Sequence, residues 1–221
     1  MEAVVFDLDG TLIDSEPTWD VVRRSLAAED GVPWPQGATQ AMMGMSTQEW
    51  SAYLIGTVGL TGTPVDAARR TIEGLQRHYR TELKVLPGAV AAVERLATRW
   101  TLALASSSPR VLIDQAAATM GITDRFATTM STEELTGAAG KPAPDIYLEV
   151  CRRLGVEPGR AVAVEDAPNG IRAAHAAGMK VVAIPPHFHP PTADVLALAD
   201  VVIDSLDDLT VELVAGLLQE D

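Results

Sequence analysis

The stretch VVFDLDGTLIDSEPTW, residues 4–19, carries a β-branched apolar run straight into Asp7 and Asp9, with Asp14 and Glu16 close behind. A carboxylate at the mouth of a core strand is costly unless its charge is compensated. Burial disfavours the ionised form, and a like-charged neighbour disfavours it further. Side chains alternate along a strand, so Asp7 and Asp9 share a face about 6.5 Å apart where strand geometry persists. In open α/β sheets ligands bind beyond the carboxyl ends of the strands, which is where these two residues fall.

Working outward, four more runs read as strands: Thr101 to Ala105, Ala161 to Val164, Lys180 to Ile184 and Val201 to Ile203, with a shorter apolar patch at Phe126 to Met130. Helical patterns lie between them at Gly88 to Arg99, Arg110 to Met120, Asp145 to Leu154 and Gly170 to Ala177. This alternation predicts a parallel sheet covered on both faces. Residues 15–83 break the rhythm. They show no buried-strand run and read as helices around Trp19 to Ala28, Thr47 to Ile55 and Val65 to Tyr79, separated by the turn-rich GVPWPQG and TGTP. The expected architecture is α/β: a Rossmann-like parallel sheet core, residues 1–14 and 84–221, with a helical domain of residues 15–83 inserted after the first strand.

The 221 residues carry 30 acidic against 17 basic side chains, a formal charge of −13, which argues against nucleic acid and anionic membrane surfaces as partners. Cys151 is the single cysteine, so an intrachain disulfide and a thiolate-rich metal site are excluded. With no signal-peptide pattern at the N-terminus and no apolar run of membrane-spanning length, the expectation is a soluble cytoplasmic protein, a monomer or weak homodimer.

Polar residues collect after the other strands too: SSS at 106–108 after the second and EDAPNG at 165–170 after the third buried run. Lys141, in GKPAPD, precedes a helix. Several carboxylates, a hydroxyl and one lysine suit a hard divalent cation such as Mg²⁺, which takes oxygen ligands and keeps substrate phosphate oxygens. With a phosphate ester bound, one Asp would attack phosphorus while the other protonates the leaving oxygen.

The segments DLDGT (7–11), LASSS (104–108), GKPAPD (140–145) and VEDAPNG (164–170) resemble, in order, the four motifs of the haloacid dehalogenase-like superfamily. DGTLIDSEPTW is most similar to its β-phosphoglucomutase-like, sugar-phosphate phosphatase group. The resemblance spans nearly the whole chain and implies that residues 15–83 are a cap. It also implies Asp7 as nucleophile, Asp9 as acid and then base, Ser106 as a holder of a phosphoryl oxygen and Lys141 as a bridge between phosphoryl group and nucleophile. Mg²⁺ would be held by Asp7, the backbone carbonyl of Asp9 and Asp166, with Glu165 nearby, while N–H groups of the Leu8–Gly10 turn cradle phosphate. The substrate implied is a small phosphorylated metabolite.

Two departures bear on the reaction. Some β-phosphoglucomutases carry a cap histidine and a cap arginine where this chain has Trp19 and Thr47, which favours a phosphatase over a mutase. A dehalogenase would leave Asp9 without a task, and a non-catalytic phospho-acceptor module would need neither Asp9 nor a helical insert. Blander roles compete elsewhere. Ser108 before Pro109 reads as a helix cap, Asp166 could cap the following helix, and Thr11 is a turn residue or a support for the phosphate loop. Trp19, Met42, Met43, Met45 and Trp50 read as core before leaving-group pocket. Arg23, Arg24, Arg69, Arg70, Arg77 and Arg80 could supply a second anion site but read mostly as solvated helix faces. The H-x-H pair His187 and His189 lies in a proline-rich loop.

Overall fold

The computed structural model describes residues 1–42, 45–135, 140–186 and 190–219. Met43, His187 and His189 lie outside the described residues. The chain divides into two compact units, residues 1–14 with 84–221 and residues 15–83.

The first unit is built on six parallel strands: β1 (Ala3–Phe6), β2 (Thr101–Ser106), β3 (Phe126–Ser131), β4 (Ala161–Glu165), β5 (Lys180–Ala183) and β6 (Val201–Val202). Their spatial order is β3-β2-β1-β4-β5-β6. The buried runs read as strands in the sequence are strands, and the patch at Phe126 is a full six-residue strand beside β2. Every residue of β1 and β4 is buried, as strands covered on both faces must be. On one face Ala3, Val5, Ala103, Ala105 and Ala163 pack against Ile146, Tyr147 and Val150 of α7 (Asp145–Leu154) and Ile171 and Ala174 of α8 (Pro168–Ala176). Alanines let these helices lie close to the sheet. α5 (Ala89–Ala97), α6 (Arg110–Met120) and α10 (Val211–Gln219) contact β2, β3 and β4 with residues outside that cluster.

Chain order reverses at β1, whose register pairs Phe6 with Leu104 on one side and Val164 on the other. The carboxyl ends of β1, β2 and β4 therefore lie abreast at the reversal, where a crevice opens in folds of this kind.

The second unit holds α1 (Glu16–Glu29), α2 (Ala38–Met42), α3 (Thr47–Tyr53) and α4 (Pro64–Thr81). α2 is five residues long, too short for a periodic signal, and escapes the sequence reading. The helix expected to run to Ile55 instead passes at Leu54 into a π-helical turn ending in the left-handed Gly59. Thr63–Asp66 and Ser46–Glu49 form reciprocal capping boxes at the starts of α4 and α3. Ala67, Thr71, Leu75 and Tyr79, one turn apart on α4, are buried. Trp50, Met42, Leu26 and Leu54 form the centre of this unit, with Trp19 and Met45 partly buried against it, so these residues are core. Among the described residues no helix is long and apolar enough to cross a membrane. α9 (Ala193–Leu196) completes the elements of the sheet unit.

Candidate active site

Asp7 continues the line of β1: its N–H donates to the Val164 carbonyl of β4 at 3.0 Å, and the side chain is 9% exposed. Glu165 ends β4 and is wholly buried. Between them the Lys141 ammonium donates to Asp7 Oδ1 at 2.5 Å, to Glu165 Oε1 at 2.6 Å and to the Ala105 carbonyl of β2 at 3.0 Å. One cation thus ties the ends of three adjacent strands. Lys141 is 134 positions from Asp7 in sequence, so only the topology brings them together.

Asp166 stands beside them, its Oδ1 accepting from Thr11 Oγ1 at 3.0 Å. Two glycines make room for the acids. A Cβ on Gly10, whose φ is +88°, would fall 2.1 Å from Asp166 Oδ2, and one on Gly170 would fall 1.9 Å from Glu165 Oε1. The G of DGT and the G of EDAPNG are therefore seats for carboxylates.

Asp7, Glu165 and Asp166 each offer an oxygen within 4.8 Å of the others. Burial pushes the Asp7 carboxyl well above its ordinary range; Lys141 opposes this, and Glu165, Asp166 and Asp9 add to it. Asp166 is pushed up to about 8, by burial first and by Glu165 second, against the pull of Thr11 and Lys141. Burial works against the Lys141 charge, but Asp7 and Glu165 outweigh it and raise its pKa. Three buried acids facing one ammonium leave a formal excess of two negative charges. Oxygen donors with that excess fit a divalent metal ion.

Asp9 is set apart from this trio. Its Oδ2 accepts from Ser108 Oγ at 2.7 Å and Ser106 Oγ at 3.2 Å, and Asp9 is only partly buried. Its side chain is not among the three clustered carboxylates. Ser106 Oγ accepts the Ser108 N–H at 2.9 Å, and Ser131 Oγ donates to the Ser108 carbonyl at 2.7 Å. The expected caps differ: Pro109 precedes α6 with no side-chain cap and Ala167 precedes α8, so Ser108 serves Asp9 and Asp166 faces Thr11.

Tyr147 is the site residue that the sequence reading passes over. Its hydroxyl donates to Glu165 Oε1 at 2.5 Å, the oxygen that Lys141 also holds, and its ring lies 5.1 Å from the Lys141 ammonium. In an amphipathic helix it reads as core, which most of its surface is. The signal available was its position six residues after Lys141, on the helix that Lys141 precedes.

The model for the haloacid dehalogenase-like hydrolases matches residues 1–178. The phosphorylated carbohydrates phosphatase of Thermotoga maritima is 32% identical, with 81% of this chain and 83% of that protein covered. Hexitol phosphatase B of Escherichia coli is 31% identical over 97% of this chain and 96% of its own. The crystal structure of CbbY from Rhodobacter sphaeroides in complex with phosphate superposes with a TM-score of 0.82 at 26% identity, covering 95% and 96% of the two chains.

Proposed function

The chain belongs to the haloacid dehalogenase-like hydrolase family, and from that premise we propose that it is a Mg²⁺-dependent phosphatase of a small phosphorylated metabolite, a sugar phosphate. The observation that carries the reading is the contrast between two carboxylates of one turn: Asp7 is bound to Lys141 in the buried cluster, whereas Asp9 faces two serine hydroxyls. Different environments for paired acids are the usual sign of different tasks.

Lys141 occupies Asp7 Oδ1, so Oδ2 is the oxygen that attacks phosphorus in line. As that O–P bond forms, the ester O–P bond breaks and the leaving oxygen takes a proton from Asp9. Asp9 then takes a proton from water, whose oxygen attacks the phosphoaspartate, releasing inorganic phosphate and restoring Asp7. Ser106, with the Leu8–Gly10 N–H groups and Lys141, holds the phosphoryl oxygens. Asp7, Asp166 and the Asp9 carbonyl hold Mg²⁺, with Glu165 beside them. When bound there, Mg²⁺ neutralises charge on the phosphoryl oxygens. In this reading residues 15–83 are the cap that selects the leaving group, and residues 1–14 with 84–221 are the catalytic core. The named activities of the carbohydrate and hexitol phosphatases support the substrate class. The net charge of −13 supports a soluble monomer or weak homodimer, away from nucleic acid and anionic membranes, and the single cysteine fits a reducing cytoplasm.

The test is inorganic phosphate release from a panel of sugar and polyol phosphates, with Mg²⁺ or EDTA, by wild type and Asp7→Asn. Release that needs both Mg²⁺ and Asp7, with a drop of roughly a thousandfold or more in the variant, is expected. A folded, Mg²⁺-loaded protein that releases phosphate from none of them would overturn the reading and direct attention to a bisphosphate-primed mutase assay.

A further inference from the structure

Arg23, on α1 of the helical unit, is 7% exposed. Its guanidinium carbon lies 4.6 Å from the centroid of the Trp19 ring and 5.1 Å from that of Trp50, two rings that meet edge to face. An arginine buried this far is ordinarily held by a carboxylate. Arg23 is not: among the described residues it has no ion pair, and its buried Nε has no hydrogen-bond partner. Asp20, three residues back on the same helix face, is the obvious counterion. It is spent elsewhere, with Oδ2 accepting from Arg24 Nε at 2.6 Å and Oδ1 from the Thr39 hydroxyl. Burial lowers the Arg23 pKa to about 10 against the opposing pull of Asp20 and Glu16, so the charge persists at neutral pH. Arg70 in the same unit shows the ordinary arrangement, bidentate on Asp30 at 2.9 Å from each oxygen.

Aromatic faces stabilise a cation but satisfy none of its in-plane N–H donors. We propose that Arg23, walled by Trp19 and Trp50, is a binding site for a small oxyanion, a carboxylate or phosphate group of an organic metabolite. The planar fork of donors matches both groups. The site itself stands independently of the phosphatase reading, whereas its use by a substrate rests on that reading.

The test is intrinsic tryptophan fluorescence of the full chain, titrated with gluconate, with inorganic phosphate and with sorbitol as the uncharged control. Wild type is expected to saturate with at least one anion and not with sorbitol. Arg23→Met is expected to weaken that anion by at least about tenfold, the loss of one charge-assisted hydrogen bond. No saturation with either anion, or equal affinity in wild type and Arg23→Met, overturns the site. Where circular dichroism shows Arg23→Met unfolded, Arg23→Lys decides: it keeps the charge and loses the fork, so a severalfold weakening supports the site and unchanged affinity overturns it. Turnover of 6-phosphogluconate against glucitol 6-phosphate separates the sources of the anion. A preference for the acid that falls in the variant identifies a substrate group, and an unchanged preference beside weakened gluconate binding identifies a free acid. Failure to hydrolyse either ester counts against the phosphatase reading and leaves the fluorescence result to decide the site.

Discussion

The sheet unit buries Lys141 between Asp7 and Glu165, whereas the helical unit buries Arg23 between two tryptophans, with no ion pair among the described residues. The first cation is compensated by acids from neighbouring strands, and removing either side strands the other. The second rests on ring faces and on the more distant pull of Asp20 and Glu16, so removing it strands no paired carboxylate. One unit carries a site preassembled by its topology; the other carries a charge that awaits a partner.

Lys141→Met attacks this contrast where the effect is largest. It leaves Asp7 and Glu165 buried without their cation, and urea unfolding at neutral pH should report a loss of about 3–5 kcal/mol, against a change of about 1 kcal/mol or less for Arg23→Met. Similar losses in the two variants would break the comparison. Gly170→Ala comes next. Its Cβ would meet the Glu165 carboxylate at 1.9 Å, so we expect a loss of about 1–3 kcal/mol with impaired phosphate release. Gly56→Ala in the helical unit meets nothing within 4 Å and should be neutral or stabilising by about 0.4–1 kcal/mol. The same denaturation curves rank both.

The acids of the trio make the third comparison. The folded pKa of Asp166 is raised above its unfolded value, to about 8, so its contribution to stability is complete below the unfolded pKa, about 4, and is lost as pH rises through about 8. Asp7 is shifted in the same direction. In EDTA the melting temperature should fall between pH 5 and pH 8. Added Mg²⁺ should raise it most at the alkaline end, where the acids are ionised to receive it. A melting temperature that ignores both pH and Mg²⁺ across that window would remove the trio from consideration as a metal site. The smallest effect is that of Tyr147→Phe. Lys141 still holds Glu165 Oε1, so stability should fall by only about 1 kcal/mol, while calorimetric Mg²⁺ affinity weakens by about tenfold.

The parallel sheet was legible because β1, β2, β4 and β5 are short apolar runs buried almost throughout, and that signal is local. Asp7, Glu165 and Asp166 could be named for the same reason, as polar residues at or beside strand ends, whereas Lys141 was singled out only by its place in GKPAPD, ahead of a helix. Ser108 was misread because a serine before a proline looks like a cap wherever it stands; its hydroxyl is claimed by Asp9, 99 positions away. Tyr147 was passed over because a tyrosine on an amphipathic helix is core until packing shows what its hydroxyl reaches. Arg23 read as one more solvated arginine of a helical insert, and the folding of α3 brings Trp50 against it.

The sequence by itself determined where the strands lie along the chain, the helical character of residues 15–83 and the acids that end β1 and β4, since these follow from side-chain period and composition along neighbouring residues. Only the tertiary structure decided that Lys141 also meets Glu165, which acid meets the serines and which arginine has no ion pair among the described residues. Those outcomes depend on desolvation and on donor–acceptor distances between groups far apart in the chain, and neither quantity exists until the strands and helices have packed.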